Sequence, residues 1–562
     1  MRAITVLVTN LERTMSTHFA SKTGRVAAGG SLLVGGVAGA LVLAPQAGAA
    51  TTYTVTNTLD SGAGSLRQAV DDANNNAGAD IIVFDASAAG TITLTTDIFF
   101  TDDVSITGLG AADSIISGNN ITRIFYMYDE GARTISISGL TLTDGRSGNG
   151  GAIFSKGIDL TLSSVVITGN EAARRGGGVY FADLENRNPT LTIIDSEISD
   201  NTAGNDGGGF SLYNAGDVTI TNTVVSGNSS DQDGGGAYLY NVGNVSIDSS
   251  TFDQNTAVKN GGGLMLYNVG DVTITNTVVS GNATLYNGGG IYTRNAGNVT
   301  IDSSTFDQNS AVTYGGGVHA TSSDSFTMTN STVSGNEAED GAGLRLDNNG
   351  DILIANSTIA NNVGAAEGGY GGAIYVFPSS GDLRIMFSTI SGNSSEDTVV
   401  RLFVGSQFTA EITGTIISDN TTESGSGTQA EDLYLGSNSS FTVTNSLVMG
   451  ETFGGVFSDG GGNVFGVSAQ LGALADNGGA TFTMEPAASS PAIDAGPLSW
   501  TPFTGDGSDQ RGGLFLRVNN GQSDMGALEV QPEPVPPTTT TSSPGETTTT
   551  VATDPVVPAF TG

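Results

Sequence analysis

Residues 217–228 read Asp-Val-Thr-Ile-Thr-Asn-Thr-Val-Val-Ser-Gly-Asn, and residues 271–282 repeat them without a change. Between the two copies lies a second motif, 244–255, which returns nearly unaltered at 298–309. The duplicated unit is thus a pair of coils, 54 residues from 217 to 271. Gly triplets begin at Gly176, Gly207, Gly234, Gly261, Gly288 and Gly315, and Gly341-Ala342-Gly343 continues the series. An Asn column keeps step with them: Asn170, Asn201, Asn228, Asn255, Asn282, Asn309, Asn336, Asn362, Asn393 and Asn420. The Gly step is 27 residues, apart from a four-residue excess at the first one, around Glu185-Asn186-Arg187-Asn188. A fixed period of this size marks a repeat architecture.

Between the two columns lie short alternating runs such as Val218-Thr219-Ile220 and Val272-Thr273-Ile274, which read as strands. The spacing predicts about three short strands per coil, paired in parallel with their equivalents about 4.8 Å above and below. Stacked Asn side chains then hydrogen-bond along the stack and satisfy turn backbone. Gly supplies the bend conformations that β-branched residues avoid. Val225, Phe252, Val279, Phe306 and Val333 fall in one inward column, small and large in turn. Asp217, Asn244, Asp271 and Asn298 form a turn column. Adjacent carboxylates there would repel by about 1 kcal/mol, and the interposed Asn doubles their separation.

Composition fits an exported rod. Among 562 residues are 82 Gly and no Cys, charged residues make up 13 %, and the formal charge is −37. Such acidity argues against a nucleic-acid partner, which needs clustered Lys and Arg. Lys22 and Arg25 precede an apolar run from Val26 to Ala44 and the small-residue site Ala47-Gly48-Ala49, so residues 1–49 read as a signal peptide cleaved after Ala49, with Met15 an alternative start. Residues 50–130 read as N-terminal cap and first coils, 131–460 as regular coils, 461–530 as a C-terminal capping region, and 531–562 as a disordered Pro/Thr-rich stalk. Within the first segment, Ser65-Leu66-Arg67-Gln68-Ala69-Val70-Asp71-Asp72-Ala73 has the apolar spacing of an amphipathic helix, suited to closing the strand edges at the end of the stack.

The Asn ladder and coil length resemble the pectin-lyase-like superfamily, which implies an all-β fold, a right-handed parallel β-helix solenoid. Gly-Gly-Ala-Ile at 150–153 and 371–374, with Phe252-Asp253-Gln254-Asn255 and Phe306-Asp307-Gln308-Asn309, is similar to the repeats of polymorphic outer-membrane proteins, which are surface adhesins. Ser490-Pro491-Ala492-Ile493-Asp494-Ala495-Gly496, Asp509-Gln510-Arg511-Gly512 and Asp524-Met525-Gly526-Ala527-Leu528-Glu529 resemble the choice-of-anchor Q domain. None of these resemblances implies a defined catalytic activity.

The chemistry legible in the coils is sparse. The one His after residue 49 is His319, so neither a His triad nor a three-His zinc site forms within one chain. Arg174-Arg175, Lys259, Arg294, Arg345 and Arg384 read as scattered, with no two in one column beside acidic partners. No catalytic residue is assigned. After each Gly triplet, alternation sends Phe210, Leu212, Leu239, Leu264, Leu266 and Ile291 inward, and Tyr213, Tyr238, Tyr240, Tyr267, Tyr292, Arg294 and His319 outward on one face. A row of exposed Tyr with an Arg suits sugar rings or a protein partner; Tyr also simply suits strand exteriors. Asp206 and Asp233 are candidate calcium ligands, and no other cofactor is expected. The reading is a monomeric, secreted or cell-surface adhesion rod for an extracellular glycan or surface protein. Alternatives are a polysaccharide lyase or hydrolase, and a structural spacer.

Overall fold

The computed structural model describes residues 50–531, apart from 184–185, 365–368, 380, 405–407, 423–431, 437–439, 454–455, 499–506 and 519–520. The expected signal peptide and nearly all of the expected stalk lie outside these residues. The strands form stacked parallel ladders running from Thr52 to Phe465. Stacking therefore begins with the first coil, where Thr52–Val55 pairs with Asp80–Phe84.

Each regular coil carries four strands rather than three. In one coil these are Ala237–Val242, Val245–Asp248, Thr251–Asp253 and Thr256–Ala257. The first and second strands of successive coils build two ladders of one 28-stranded sheet, and the long strands Phe125–Ser138 and Ile153–Ser163 run through both. Third strands build a 15-stranded sheet and fourth strands an 11-stranded one. The fourth strand is only two residues long, too short for alternation to announce it.

Every rung of the expected Asn ladder is formed. Each Asn from Asn170 to Asn393 donates Nδ2 to the Oδ1 of the next, at 2.8–3.0 Å, and the same Oδ1 also accepts the backbone N–H below it. The Gly triplets serve two purposes. Gly234 sits at φ +68°, which favours Gly, whereas a Cβ on Gly235 or Gly236 would lie 2.4 or 2.6 Å from the carbonyl oxygen of Gly262 or Gly263 in the coil above. The turn column is hydrogen-bonded as well: Asp217 Oδ1 accepts from Asn244 N–H, Asn244 Oδ1 from Asp271 N–H, and Asp271 Oδ1 from Asn298 N–H.

Inside, one continuous apolar core runs from Val55 to Val448. Val225, Phe252, Val279, Phe306 and Val333 pair in register and are fully buried. The helix Leu66–Asn74 is N-capped by Ser65 Oγ, which accepts from Gln68 N–H, and it inserts Leu66, Ala69, Val70 and Ala73 into the first coils.

The described residues of 469–531 lie against the outside of the solenoid. Gln510 Nε2 donates to Ser331 O and its Oε1 accepts from Thr358 Oγ1, across 152 residues or more. Arg517, fully buried, donates to Asn356 Oδ1 and to the carbonyls of Gly526 and Ala527, and its guanidinium lies 5.0 Å from the Phe387 ring centre. Gly526 N–H donates to Gly414 O. The segment is thus a lateral strap over successive coils.

Candidate functional site

All seven residues expected on the outward face project from the first ladder, in two columns. Tyr238, Tyr292 and His319 occupy the inner one, in register through Met265 and continued by Arg345. Tyr213, Tyr240, Tyr267 and Arg294 occupy the outer one.

Their exposure departs from the expectation. Tyr238 and Tyr292 are 8 % exposed and His319 is 4 %. They point away from the core, yet neighbouring rings and turns cover them. Tyr213 crosses this trough, its hydroxyl donating to Asp206 at 2.7 Å above a fully buried Ser211. Tyr238 and Tyr240 stack 6.4 Å apart at 3°, and Tyr292 lies 4.6 Å from the His319 ring. Stacked rings cover one another's faces and offer mainly edges and hydroxyls outward. The pattern breaks at Tyr267, which meets Tyr240 edge to face at 71° and carries the Arg294 guanidinium 5.3 Å from its centre. Tyr213, Tyr240 and Tyr267 are half-buried and Arg294 is exposed, so this outer column is what the face offers to a ligand.

The two candidate calcium ligands do not assemble a site. Asp206 receives the Tyr213 hydroxyl and, at 3.2 Å, the Nε of Arg175. Asp233 accepts both the backbone and side-chain N–H of Asn260. A guanidinium on one carboxylate and protein donors on the other leave no oxygen-rich cage of the kind calcium takes. Among the described residues no group of three or more His, Cys, Asp and Glu is placed to hold a metal ion.

One cluster escaped the sequence reading. Arg345 and Arg401 share the inner column, two coils apart, and both have acidic partners. Arg345 Nε lies 2.8 and 2.9 Å from the two oxygens of Asp347, and its NH1 lies 3.1 Å from Asp340. His319 Nε2 is 3.1 Å from Asp347, while its Nδ1 is buried with no partner among the described residues. Arg345 also lies 3.9 Å from the centre of Tyr375. Burial pushes the His319 imidazole down despite the pull of Asp347. Burial also raises Asp340. It would raise Asp347 too, but hydrogen bonding from His319 and the Arg345 charge outweigh it and hold that carboxyl below its ordinary value. The signal for this cluster was in the sequence: Arg345 stands two residues after Gly343, as Tyr238 stands two after Gly236. Irregular coil lengths beyond residue 336 hid it.

The family model described as "right handed beta helix region" matches residues 235–400 and 314–469. The chain is a right-handed parallel β-helix. No curated protein matches its sequence. Among solved structures, it is similar to the mannuronan C-5 epimerase AlgE6 A-module of Azotobacter vinelandii, at 15 % identity and TM-score 0.35, over 74 % of this chain and 99 % of that one. It is also similar to PfbA, a surface adhesin of Streptococcus pneumoniae, at 13 % identity and TM-score 0.31, over 78 % and 95 % of the two chains.

Proposed function

We propose that this β-helix is an extracellular, non-catalytic rod that binds a glycan along the outer column of its first ladder. The observation that carries the reading is the group Tyr240, Tyr267 and Arg294. It places half-buried aromatic rings, one turned out of the stack, beside an exposed guanidinium on consecutive coils. Tyr offers large contact area at low entropic cost, and Arg supplies hydrogen-bond donors for hydroxyl or acidic groups. Secretion accords with the signal-like N-terminus and with the absence, among the described residues, of any helix long and apolar enough to cross a membrane. The test is a glycan-array screen of the mature chain beside Tyr240→Ala with Tyr267→Ala. Binding by the parent and none by the folded double variant supports the reading. Equal binding by both defeats it, and silence from both favours a spacer.

A second reading, a polysaccharide-cleaving enzyme, draws on the Arg345 cluster. Asp340 and Asp347 flank one guanidinium with their proton affinities pushed in opposite directions, the arrangement that suits an acid and a base. Release of oligosaccharide from a panel of polymers, lost in Asp340→Asn, would establish it.

A further inference from the structure

An Asn at positive φ follows each residue of the outer column: Asn214, Asn241, Asn268 and Asn295, with φ between 52° and 55°. A left-handed turn accounts for the residue type. It does not account for how the amides pair. Asn241 Nδ2 donates to Asn214 Oδ1 at 2.7 Å, and Asn295 Nδ2 to Asn268 Oδ1 at 2.9 Å. Among the described residues no hydrogen bond joins Asn241 to Asn268, although the buried ladder stays unbroken through the same coils, from Asn228 through Asn255 to Asn282. The aromatic column breaks at the same coil boundary, where Tyr267 turns edge to face against Tyr240. Rings and amides therefore part together and leave a notch between two coils.

We infer, resting on the glycan reading, that this notch selects an uncharged sugar through two neighbouring hydroxyls. Asn241 Oδ1 is left to accept from one and Asn268 Nδ2 to donate to the other; Asn241 is exposed and Asn268 half-buried. A hydroxyl both gives and takes a hydrogen bond, so an acceptor beside a donor matches a pair of them. The angled Tyr rings supply contact for the apolar C–H side of the same sugar. A formal charge of −37 sets the chain against an extended polyanion, and Arg294 on the next coil adds donors that serve hydroxyls as well. A sugar with either hydroxyl substituted leaves an amide facing no partner, which is how a polar site discriminates.

The test screens residues 50–562 on an array carrying mannan, galactan and xylan as uncharged polymers and polygalacturonate, alginate and heparin as acidic ones. An uncharged polymer is expected to bind, with affinity changing less than about twofold between about 0.05 and 0.5 M salt. Mild periodate, which cleaves carbon–carbon bonds between adjacent hydroxyls, should abolish binding of that polymer. Asn268→Asp removes the donor and should weaken binding about tenfold or more, whereas Asn241→Asp keeps an acceptor and should stay within about threefold of the parent. Both add one carboxylate, so their difference reports the donor. If Asn268→Asp fails to fold, Asn268→Gly removes the same donor and suits the positive φ. Equal binding by the two Asp variants overturns the inference, as does unchanged binding after periodate, or a salt-sensitive preference for acidic polymers. In each of those cases the glycan reading stands if Tyr240→Ala with Tyr267→Ala still abolishes binding. A parent that binds nothing on the array defeats both.

Discussion

Replacing Asn282 by Ala in the middle of the ladder tests what holds the coils in register. Asn282 is fully buried. Its Nδ2, with two hydrogens to donate, lies within hydrogen-bond reach of Phe252 O, Ser280 O and Asn309 Oδ1, and its Oδ1 accepts from the backbone and the side chain of Asn255. Truncation leaves the Asn255 N–H without that acceptor and the Phe252 carbonyl without that donor, both away from water. At about 1–3 kcal/mol for each orphaned buried group, and with lost packing added, the change should cost about 3–6 kcal/mol. Asn244→Ala is the control. Its Oδ1 accepts one hydrogen bond, from Asp271 N–H, at an exposed turn where water replaces it, so about 1 kcal/mol or less is expected. Solenoids open locally, so the readout is amide hydrogen exchange over residues 250–310 beside the denaturant midpoint. Asn282→Ala should lose protection in its own and adjoining coils, and Asn244→Ala should not. Equal and small effects would refute the claim that buried Asn stacking fixes the register.

Two further outcomes follow from burial elsewhere. Asp432, fully buried and with one oxygen accepting from Gly450 N–H, has its carboxyl pushed up to about 7 by burial. Its unfolded value is about 3.9, so between those values the folded chain binds more protons than the unfolded one, and stability there falls as pH rises. Protection of the coils on either side of Asp432 should therefore drop from about pH 4 to pH 7.5, and Asp432→Asn should flatten that profile. Arg517→Met leaves Gly526 O and Asn356 Oδ1 without that donor, while Ala527 O keeps Gln510 N–H, so about 2 kcal/mol or more is expected. Limited proteolysis should then cut within 469–531 while the coils stay intact; unchanged resistance would mean that the strap does not depend on this residue.

The repeat made much of the fold legible because identical side chains stacked on one another leave a periodic trace. The Asn ladder, the Val225–Val333 column, the inward aliphatics and the Asp217–Asn298 turn column all stand where periodicity put them. What escaped depends on contacts between positions without a common period. The two-residue fourth strands carry no alternation. Tyr238 and Tyr292 face outward as expected, yet packing against Tyr213, Tyr240 and His319 buries them, and no single coil displays that cover. The strap joins Gln510 to Thr358 and Arg517 to Asn356 over more than 150 residues, beyond the reach of any local pattern.

The central functional claim is that ligand meets the outer column of the first ladder. Hydroxyl-radical footprinting of residues 50–562, with and without the glycan an array selects, addresses it residue by residue. Protection concentrated at Tyr240, Tyr267 and Arg294, with Thr219 and Thr300 on the second ladder unchanged, is the predicted result. Protection elsewhere on the coils, with these three residues as reactive as in the free protein, would contradict it.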